Sequence, residues 1–182
     1  MGTTEGNEHF YIAILSEGHR IKLPEFTSKN NELNEFLVKD ALEYQKLHLG
    51  ITYLLVDKTN EGILSYITLS MGALKLPEKK AEFLFMGKRL QEYPKDFPNQ
   101  FPALLVGKLA TDETAEGKGC ASILLKYAAS IGLQERERVG CAFLVAHAKG
   151  KDEVVNWYKK RGFKTYILNT AGRETVPMYF EL

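Results

Sequence analysis

The sequence has few cysteines, no long apolar run and no excess of either charge. Two cysteines in 182 residues cannot form a disulfide framework, and no Cys/His spacing suggests zinc. No run of about 18 apolar residues exists, and the polar start MGTTEGNEH is unlike a signal peptide. The formal charge of +1 argues against a strongly electrostatic nucleic-acid binder, although a local basic patch is compatible with it. We therefore expect a soluble, cytoplasmic protein with reduced thiols, no metal and no membrane partner.

What the sequence does contain is typical of one globular domain. Apolar residues make up 45% and charged residues 26% of the chain, which are ordinary values for such a domain. A chain of this length buries roughly 70% of the surface that it exposes when unfolded. No internal repeat or low-complexity linker is present. We expect residues 1–182 to form a single domain.

The first half predicts a strand, a helix and a hairpin. His9–Leu15 is typical of a short strand, and Ile51–Asp57 and Ile63–Ser70 are two strands around a turn. The segment Gly72–Asn99 is ambiguous, since its central part fits either a helix or a strand. The helix is indicated by apolar residues at helical spacing, preceded by N-cap candidates in FTSKNN: Leu33, Phe36, Leu37, Ala41, Tyr44 and Leu47.

The second half alternates strands with helices. Ala103–Thr111 is almost entirely apolar, as expected for a strand buried on both faces, and Cys141–Ala148 is a second strand. Between them lies a helix, and a short helix in WYKKRGF stops at Gly162. Phe163–Leu168 and Val176–Leu182 can close the sheet as a hairpin. The whole pattern predicts an α/β fold with a mixed sheet.

A glycine-containing loop, EGKGCA, separates the strand Ala103–Thr111 from the following helix. Backbone N–H groups at a helix start and the positive end of the helix dipole bind anions, and glycines allow a close approach. A Walker phosphate loop is excluded because its Gly-Lys-Ser/Thr end is missing. A dinucleotide fingerprint fails on spacing, since about six polar residues separate strand from glycines. The loop therefore predicts a phosphate-bearing ligand of another class.

EGKGCASILL resembles the acyl-CoA loop of the GNAT N-acetyltransferase superfamily, whose motif is Gln/Arg-x-x-Gly-x-Gly/Ala. Gly119 and Ala121 match its small positions, and Gly117 and Lys118 fill the variable ones. Glu116 departs from the usual Gln or Arg, and an acid is unfavourable beside a diphosphate unless it points away. A second block, WYKKRGF, is similar to the family's aromatic-Tyr-x-x-x-Gly-Phe signature. The two blocks are about 40 residues apart with a strand between them, which makes the combination specific.

The resemblance implies a GNAT fold. This is a mixed sheet of about six to seven strands flanked by about four helices, with splayed central strands. The splay would leave a V-shaped gap between Leu104–Thr111 and Ala142–Ala148. Alternating Val176, Met178 and Phe180 also permit a homodimer through the last strand, although a half-buried strand alternates in the same way.

The resemblance also implies acetyl-CoA as cosubstrate, without a metal. Its pantetheine arm would pair with the strand end formed by Leu109, Ala110 and Thr111. A backbone N–H near Leu109 or Ala110 would stabilise the oxyanion. The diphosphate would lie on the loop residues Glu116, Gly117, Lys118, Gly119, Cys120, Ala121 and Ser122.

Family analogy makes Tyr158 the general acid for the departing thiolate. His147, at a strand end, is the candidate general base, with Asp112 and Glu113 behind it. An α-amine acceptor with a pKa near 8 would need no base, whereas a lysine amine would. Cys120 is not expected to act as a nucleophile, because the family transfers the acetyl group directly.

We expect the acceptor to be a primary amine, carried by a small molecule, a peptide or a protein N-terminus. The segment FTSKNNELNEFLVKDALEYQ and the strands after it resemble acetyltransferase-fold toxins of toxin–antitoxin pairs, which acetylate the α-amine of aminoacyl-tRNA. Three basic clusters could meet phosphates of tRNA: Lys79–Lys80, Lys88–Arg89 and Lys159–Lys160–Arg161. A non-catalytic acyl-CoA-binding module is the remaining alternative, which the presence of Tyr158 disfavours.

Overall fold

The computed structural model describes residues 9–76, 84, 85, 87–89, 92, 100–165, 172 and 174–182. The strands are β1 (Phe10–Ile14), β2 (Ile51–Asp57), β3 (Ile63–Lys75), β4 (Leu84–Phe85), β5 (Lys88–Arg89), β6 (Gln100–Thr111), β7 (Phe143–Lys149) and β8 (Thr175–Glu181). Six of them form one sheet in the order β1-β2-β3-β6-β7-β8, and β4 and β5 form a separate hairpin. The predicted mixed α/β architecture is confirmed.

The helices of the described residues are short apart from one. They are α1 (Asn31–Glu35), a π-helical turn (Phe36–Asp40), α2 (Ala41–Lys46), α3 (Cys120–Arg138) and α4 (Asp152–Lys159), with 3₁₀ turns at Glu17–His19, Leu23–Glu25 and Glu113–Ala115. The predicted first helix is therefore one continuous helical stretch whose middle turn is wider. Its N-cap is Asn30, whose side chain accepts from the Glu32 N–H at 3.2 Å, as the FTSKNN segment predicts.

Two strands are longer than the sequence indicates. β3 continues five residues past the predicted end at Ser70, through MGALK, and β6 begins three residues before Ala103. Of the ambiguous segment 72–99, the described residues are mostly strand, with a turn at Gly87. The three prolines of the segment lie outside the described residues. Of the predicted closing hairpin, Lys164 exchanges backbone hydrogen bonds of 2.7 and 2.8 Å with Tyr179, while residues 166–168 lie outside the described residues.

The chain divides into two compact units, Met1–Ser70 with Val106–Ala128 and Met71–Leu105 with Ala129–Leu182. In the first unit, three aromatic rings form the centre of the core. Tyr66 of β3 meets Phe26 edge-on at 5.5 Å and stacks with Phe36 at 6.5 Å. Its hydroxyl donates to the Leu33 carbonyl at 2.8 Å, which ties helix α1 to the sheet. Burial raises the pKa of Tyr66 and keeps this donor neutral.

In the second unit, Phe143 of β7 contacts Phe101 and Tyr179 edge-on, with centroids 5.6 and 5.8 Å apart. β7 and β8 pair antiparallel. Val176 and Met178 of β8 are fully buried within the chain. Their alternation therefore serves the protein's own core and gives no support to a homodimer through this strand.

Candidate functional site

The predicted anion loop lies in the first unit, between the end of β6 and the start of α3. Gly117 and Gly119 have φ values of +74° and +83°, the left-handed region that side chains with a Cβ avoid. No atom of the described residues lies within 4 Å of where a Cβ would stand on either glycine. Backbone conformation, and not crowding at the Cβ position, requires the two glycines.

Some amides of the loop are already occupied. The Lys118 N–H donates to the Ala115 carbonyl at 3.3 Å. The N–H groups of Ser122 and Ile123 both donate to the Gly119 carbonyl, at 2.9 and 3.1 Å. The Ser122 and Ile123 bonds close the first turn of α3. The Glu116 N–H also donates, to the Glu113 carbonyl at 3.4 Å. Three of the predicted loop amides, those of Glu116, Lys118 and Ser122, are therefore removed from the set open to an anion.

The remaining amides of the loop are the candidates for anion binding. Within the part of the chain that the structure describes, four loop N–H groups have no backbone acceptor: those of Gly117, Gly119, Cys120 and Ala121. They precede or begin a helix of 19 residues, whose dipole adds positive potential at this end. The N–H groups of Gly117, Gly119, Cys120 and Ala121 are hereafter called the four loop amides.

Glu116, the residue that departs from the family motif, is held by an ion pair. Its Oε2 lies 2.5 Å from the Nζ of Lys29, a residue that comes from the segment before α1. The Glu116 side chain is 39% exposed and that of Lys29 75% exposed. The carboxylate that would oppose a diphosphate is thus paired with a cation that the motif itself does not contain.

The base of the loop is fixed by Asp112, which is buried. Its Oδ2 accepts from the Thr27 N–H at 2.8 Å, and its Oδ1 accepts from the N–H and the hydroxyl of Thr114 at 3.0 and 2.5 Å. The Glu113 N–H returns a 2.8 Å bond to the Thr27 carbonyl. Asp112 is therefore occupied as a structural acceptor, which argues against the secondary role as a base that the sequence suggested.

The end of β6, where the pantetheine arm is predicted to pair, is braced from β3. The Ser65 hydroxyl donates to the Ala110 carbonyl at 2.6 Å and lies 3.0 Å from the Thr111 hydroxyl. Leu109 is half-buried, as is Thr111, while Ala110 is buried. The Ala110 carbonyl is thus engaged by Ser65, and β6 itself lies between β3 and β7 in the sheet.

Cys120, at the first position of α3, is buried. Burial raises the pKa of the Cys120 thiol, which disfavours the thiolate needed for nucleophilic attack. Its environment is that of a packed apolar residue, in agreement with the expectation that it forms no acyl-enzyme.

Tyr158 lies on α4 in the second unit and is 7% exposed. Its ring packs edge-on against Trp157 and Phe163, at centroid distances of 5.0 and 5.2 Å. Burial raises the pKa of Tyr158 to about 12, so the phenol keeps its proton across the physiological range.

The Tyr158 hydroxyl has no hydrogen-bond partner among the described residues. No fully buried side-chain nitrogen or oxygen in that part of the chain lacks a partner. The Tyr158 ring is buried and its phenol is neutral. A neutral donor in this state is suited to a ligand atom.

His147, the candidate base, is exposed on β7 opposite Pro177 of β8. Within the described part of the chain no side chain orients its imidazole. A ring that no neighbouring group orients is not positioned to take one particular proton. His147 stays a prediction.

The basic clusters are only partly available. The Arg161 guanidinium lies 3.7 Å from the ring centroid of Trp157 and donates to the Trp157 carbonyl at 2.9 Å, so it is used within α4. Lys159, Lys160 and Lys88 are exposed. Lys79 and Lys80 lie outside the described residues.

The described residues contain neither a metal site nor a membrane-spanning helix. No group of three or more His, Cys, Asp and Glu side chains there could hold a metal ion. None of the described helices has the length and apolar character needed to cross a membrane.

Sequence reasoning missed two features of this site. Lys29 was absent from the predicted site because no local motif links it to a loop far along the chain. Thr27 was missed for the same reason, although Asp112-Glu113-Thr114 is a recognisable pattern for an Asx turn. The unusual Glu116 was the one available signal, since an acid at an anion site calls for a neutralising cation.

No protein-family model matches the chain. Among solved structures it is similar to AtaT complexed with acetyl-methionyl-tRNAfMet, with a TM-score of 0.75, 22% identity and 94% of each chain covered. The structure of AtaTR bound with AcCoA has a TM-score of 0.75 and 21% identity, and the match covers 96% of this chain and 94% of the AtaTR chain. A tyrosine-to-phenylalanine mutant of KacT has a TM-score of 0.76 and 18% identity, and the match covers 96% of this chain and 95% of the KacT chain. AtaT and KacT are GNAT-fold toxins of toxin–antitoxin systems, and the predicted GNAT fold is thereby confirmed.

Proposed function

We propose that the chain is an acetyl-CoA-dependent N-acetyltransferase that moves an acetyl group directly to a primary amine. The observation that carries the proposal is the cradle of four loop amides above two left-handed glycines at the start of α3. Such a cradle binds a diphosphate through backbone donors and the helix dipole. The GNAT fold of this chain supports the same reading.

The proposed roles divide between binding and chemistry. The four loop amides hold the diphosphate, and the end of β6, braced by Ser65, pairs with the pantetheine arm as an added strand would. An N–H group near Leu109 or Ala110 donates to the oxyanion that forms when the amine attacks the thioester carbonyl. The new C–N bond forms, the C–S bond breaks, and the sulfur takes up a proton.

Tyr158 is proposed to serve the departing sulfur. With a pKa raised by burial to about 12, its phenol is a weaker acid than a thiol, so full proton transfer to a free thiolate is unfavourable. The phenol therefore donates a hydrogen bond to the developing negative charge. The proton released by the amine completes the neutral thiol. This modifies the expectation that Tyr158 acts as a general acid and gives its own proton to the departing thiolate.

The acceptor's own amine sets the need for a base. An α-amine with a pKa near 8 is substantially neutral at pH 8, whereas a lysine amine with a pKa near 10.4 is not. The absence of an oriented imidazole around His147 in the described residues favours an α-amine acceptor.

A second candidate concerns the acceptor. AtaT, similar to this chain over 94% of its length, is complexed with acetyl-methionyl-tRNAfMet, and another AtaT structure is bound to the C-terminus of the antitoxin AtaR. We propose aminoacyl-tRNA as the α-amine acceptor, and an antitoxin as protein partner, for this chain. The exposed Lys159 and Lys160 would meet tRNA phosphates.

The test of the proposed function has two stages. Calorimetry with CoA asks whether the protein binds the ligand, and thiol release from acetyl-CoA asks whether it turns over. The acceptors are an aminoacyl-tRNA, the same tRNA uncharged, an α-amino peptide, and a lysine derivative blocked at its α-amine. We expect release with the charged tRNA and not with the uncharged one. Binding without release from any acceptor would indicate a non-catalytic module, and no CoA binding would refute the proposal.

His147→Gln tests the base directly. With an α-amine acceptor at pH 8, we expect kcat/KM to stay within about threefold of the wild type, because no base is required. With the lysine-type acceptor, a base would be required and the same change would lower kcat/KM about tenfold or more. A large loss with the α-amine acceptor, recovered as the pH is raised, would instead assign His147 as the base.

A further inference from the structure

We propose that Lys29 supplies, from outside the glycine loop, the cation that binds the coenzyme's diphosphate. In the free protein Glu116 holds this cation beside the loop. The inference rests on the proposed function, since it names a residue for the same coenzyme. It also gives a reason for the acid at a position where the GNAT motif has Gln or Arg.

The position of Lys29 follows from the chain on both sides of it. The backbone of Thr27 makes two hydrogen bonds to the base of the loop. Its N–H donates to the Asp112 carboxylate at 2.8 Å, and its carbonyl accepts from the Glu113 N–H at 2.8 Å. Ser28 is held by Asn34, whose Oδ1 accepts from the Ser28 N–H at 2.9 Å and whose Nδ2 donates to the Ser28 carbonyl at 3.0 Å. The Lys29 backbone is thus fixed relative to the loop.

The side chain of Lys29, in contrast, extends into solvent. It is 75% exposed, and its Nζ meets the Glu116 Oε2 at 2.5 Å. Most other ion pairs of the described residues join neighbours within one helical turn, such as Lys39 and Glu35. The Lys29–Glu116 pair differs from these because it joins two distant segments of the chain beside the four loop amides. Its exposure makes it weak as a stabilising contact.

The charges at the cradle show what the pair can do. Without Lys29, the Glu116 carboxylate would repel a diphosphate bound at the adjacent amides. With Lys29, the charge of Glu116 is compensated before binding, and the ammonium can turn from Glu116 to a phosphate oxygen. Glu116 therefore keeps the Lys29 ammonium beside the loop, and it also competes with the diphosphate for that ammonium. Removing Lys29 and removing Glu116 must have opposite effects on coenzyme affinity.

The experiment is a set of calorimetric titrations with CoA and with dephospho-CoA. We expect Lys29→Gln to raise the Kd for both ligands about tenfold and to weaken its dependence on salt. We expect Glu116→Gln to lower the Kd about threefold, because the competing carboxylate is gone. The matched control is Lys39→Gln, which removes the same charge from an exposed ion pair of the same unit and should leave the Kd within twofold. Thermal unfolding without ligand checks that all variants are folded.

The outcomes are distinguishable. If the wild type binds CoA but Lys29→Gln binds it as tightly as Lys39→Gln does, this inference is wrong and the proposed function stands. A loss for CoA and not for dephospho-CoA would place Lys29 on the 3′-phosphate and overturn the diphosphate assignment. A raised Kd for Glu116→Gln would contradict its role as competitor. If the wild type binds neither ligand, the proposed function fails and the inference fails with it.

Discussion

Replacing Tyr158 by Phe is expected to lower kcat between about 10²-fold and 10³-fold and to change the KM for acetyl-CoA less than about threefold. The substitution removes one oxygen from a side chain whose ring is fixed between Trp157 and Phe163. The hydrogen bond to the developing thiolate forms only as the C–S bond breaks, so its loss falls on kcat. Steady-state thiol release at saturating acceptor measures both constants.

The matched control for this prediction is Tyr179→Phe. Tyr179 is also 7% exposed and lies in the same unit, and no role in the reaction is proposed for it. We expect its kcat to stay within about twofold of the wild type, since the ring contact with Phe143 remains. Equal losses in the two variants would mean that a buried phenol oxygen matters for folding alone, and Tyr158 would have no part in the chemistry.

The pH profile gives a second test of Tyr158. Burial raises the pKa of this phenol to about 12, so the donor form is present below that pH and is lost above it. With an α-amine acceptor, kcat/KM should rise as the amine loses its proton near pH 8 and then stay level to about pH 10. A fall in rate between pH 8 and 10 that disappears in Tyr158→Phe would show an ordinary, unshifted phenol at this position.

The sequence predicted most of the elements because their signals are local. β2 was predicted at Ile51–Asp57 with the observed bounds, since apolar and polar residues there sit between clear turn residues. The two glycines of the loop were predicted for the same reason, because EGKGCA lies between an apolar strand and an apolar helix stripe. The left-handed angles of Gly117 and Gly119 are a local requirement that only glycine meets at low cost.

What the sequence could not predict depends on long-range contacts. The length of β3 is one case, since MGALK extends the strand beyond Ser70 although Gly72 is a weak strand former. The pairing of Lys29 with Glu116 is another, because each residue alone is an ordinary surface charge. The sequence gives the residue types at a site, whereas the fold decides which distant side chains join them.

Asp112→Ala should be the most destabilising of the substitutions considered. Asp112 is buried and accepts three hydrogen bonds, from the Thr27 N–H and from the N–H and hydroxyl of Thr114. Its removal takes the buried acceptor away from three part-buried donors and breaks the link between the Thr27 segment and the loop, at a cost of about 3 kcal/mol. For a chain of this length we expect a fall in Tm of about 6 to 12 °C. Thermal unfolding followed by circular dichroism measures the shift.

Asp57→Ala is the control, because the chain repeats the same Asp-x-Thr turn at an exposed place. The Asp57 carboxylate accepts from the N–H and the hydroxyl of Thr59 at 2.7 and 2.6 Å, which matches the local half of the Asp112 network. Among the described residues this carboxylate accepts no bond from a distant segment. We expect Asp57→Ala to lower the Tm by no more than about 2 °C, because water replaces the lost acceptor. If the two variants lose equal stability, the local turn accounts for the whole effect and the bond to Thr27 does not anchor the loop. If Asp112→Ala alone is destabilised and also binds CoA more weakly, this buried carboxylate is what holds the Lys29 segment against the four loop amides.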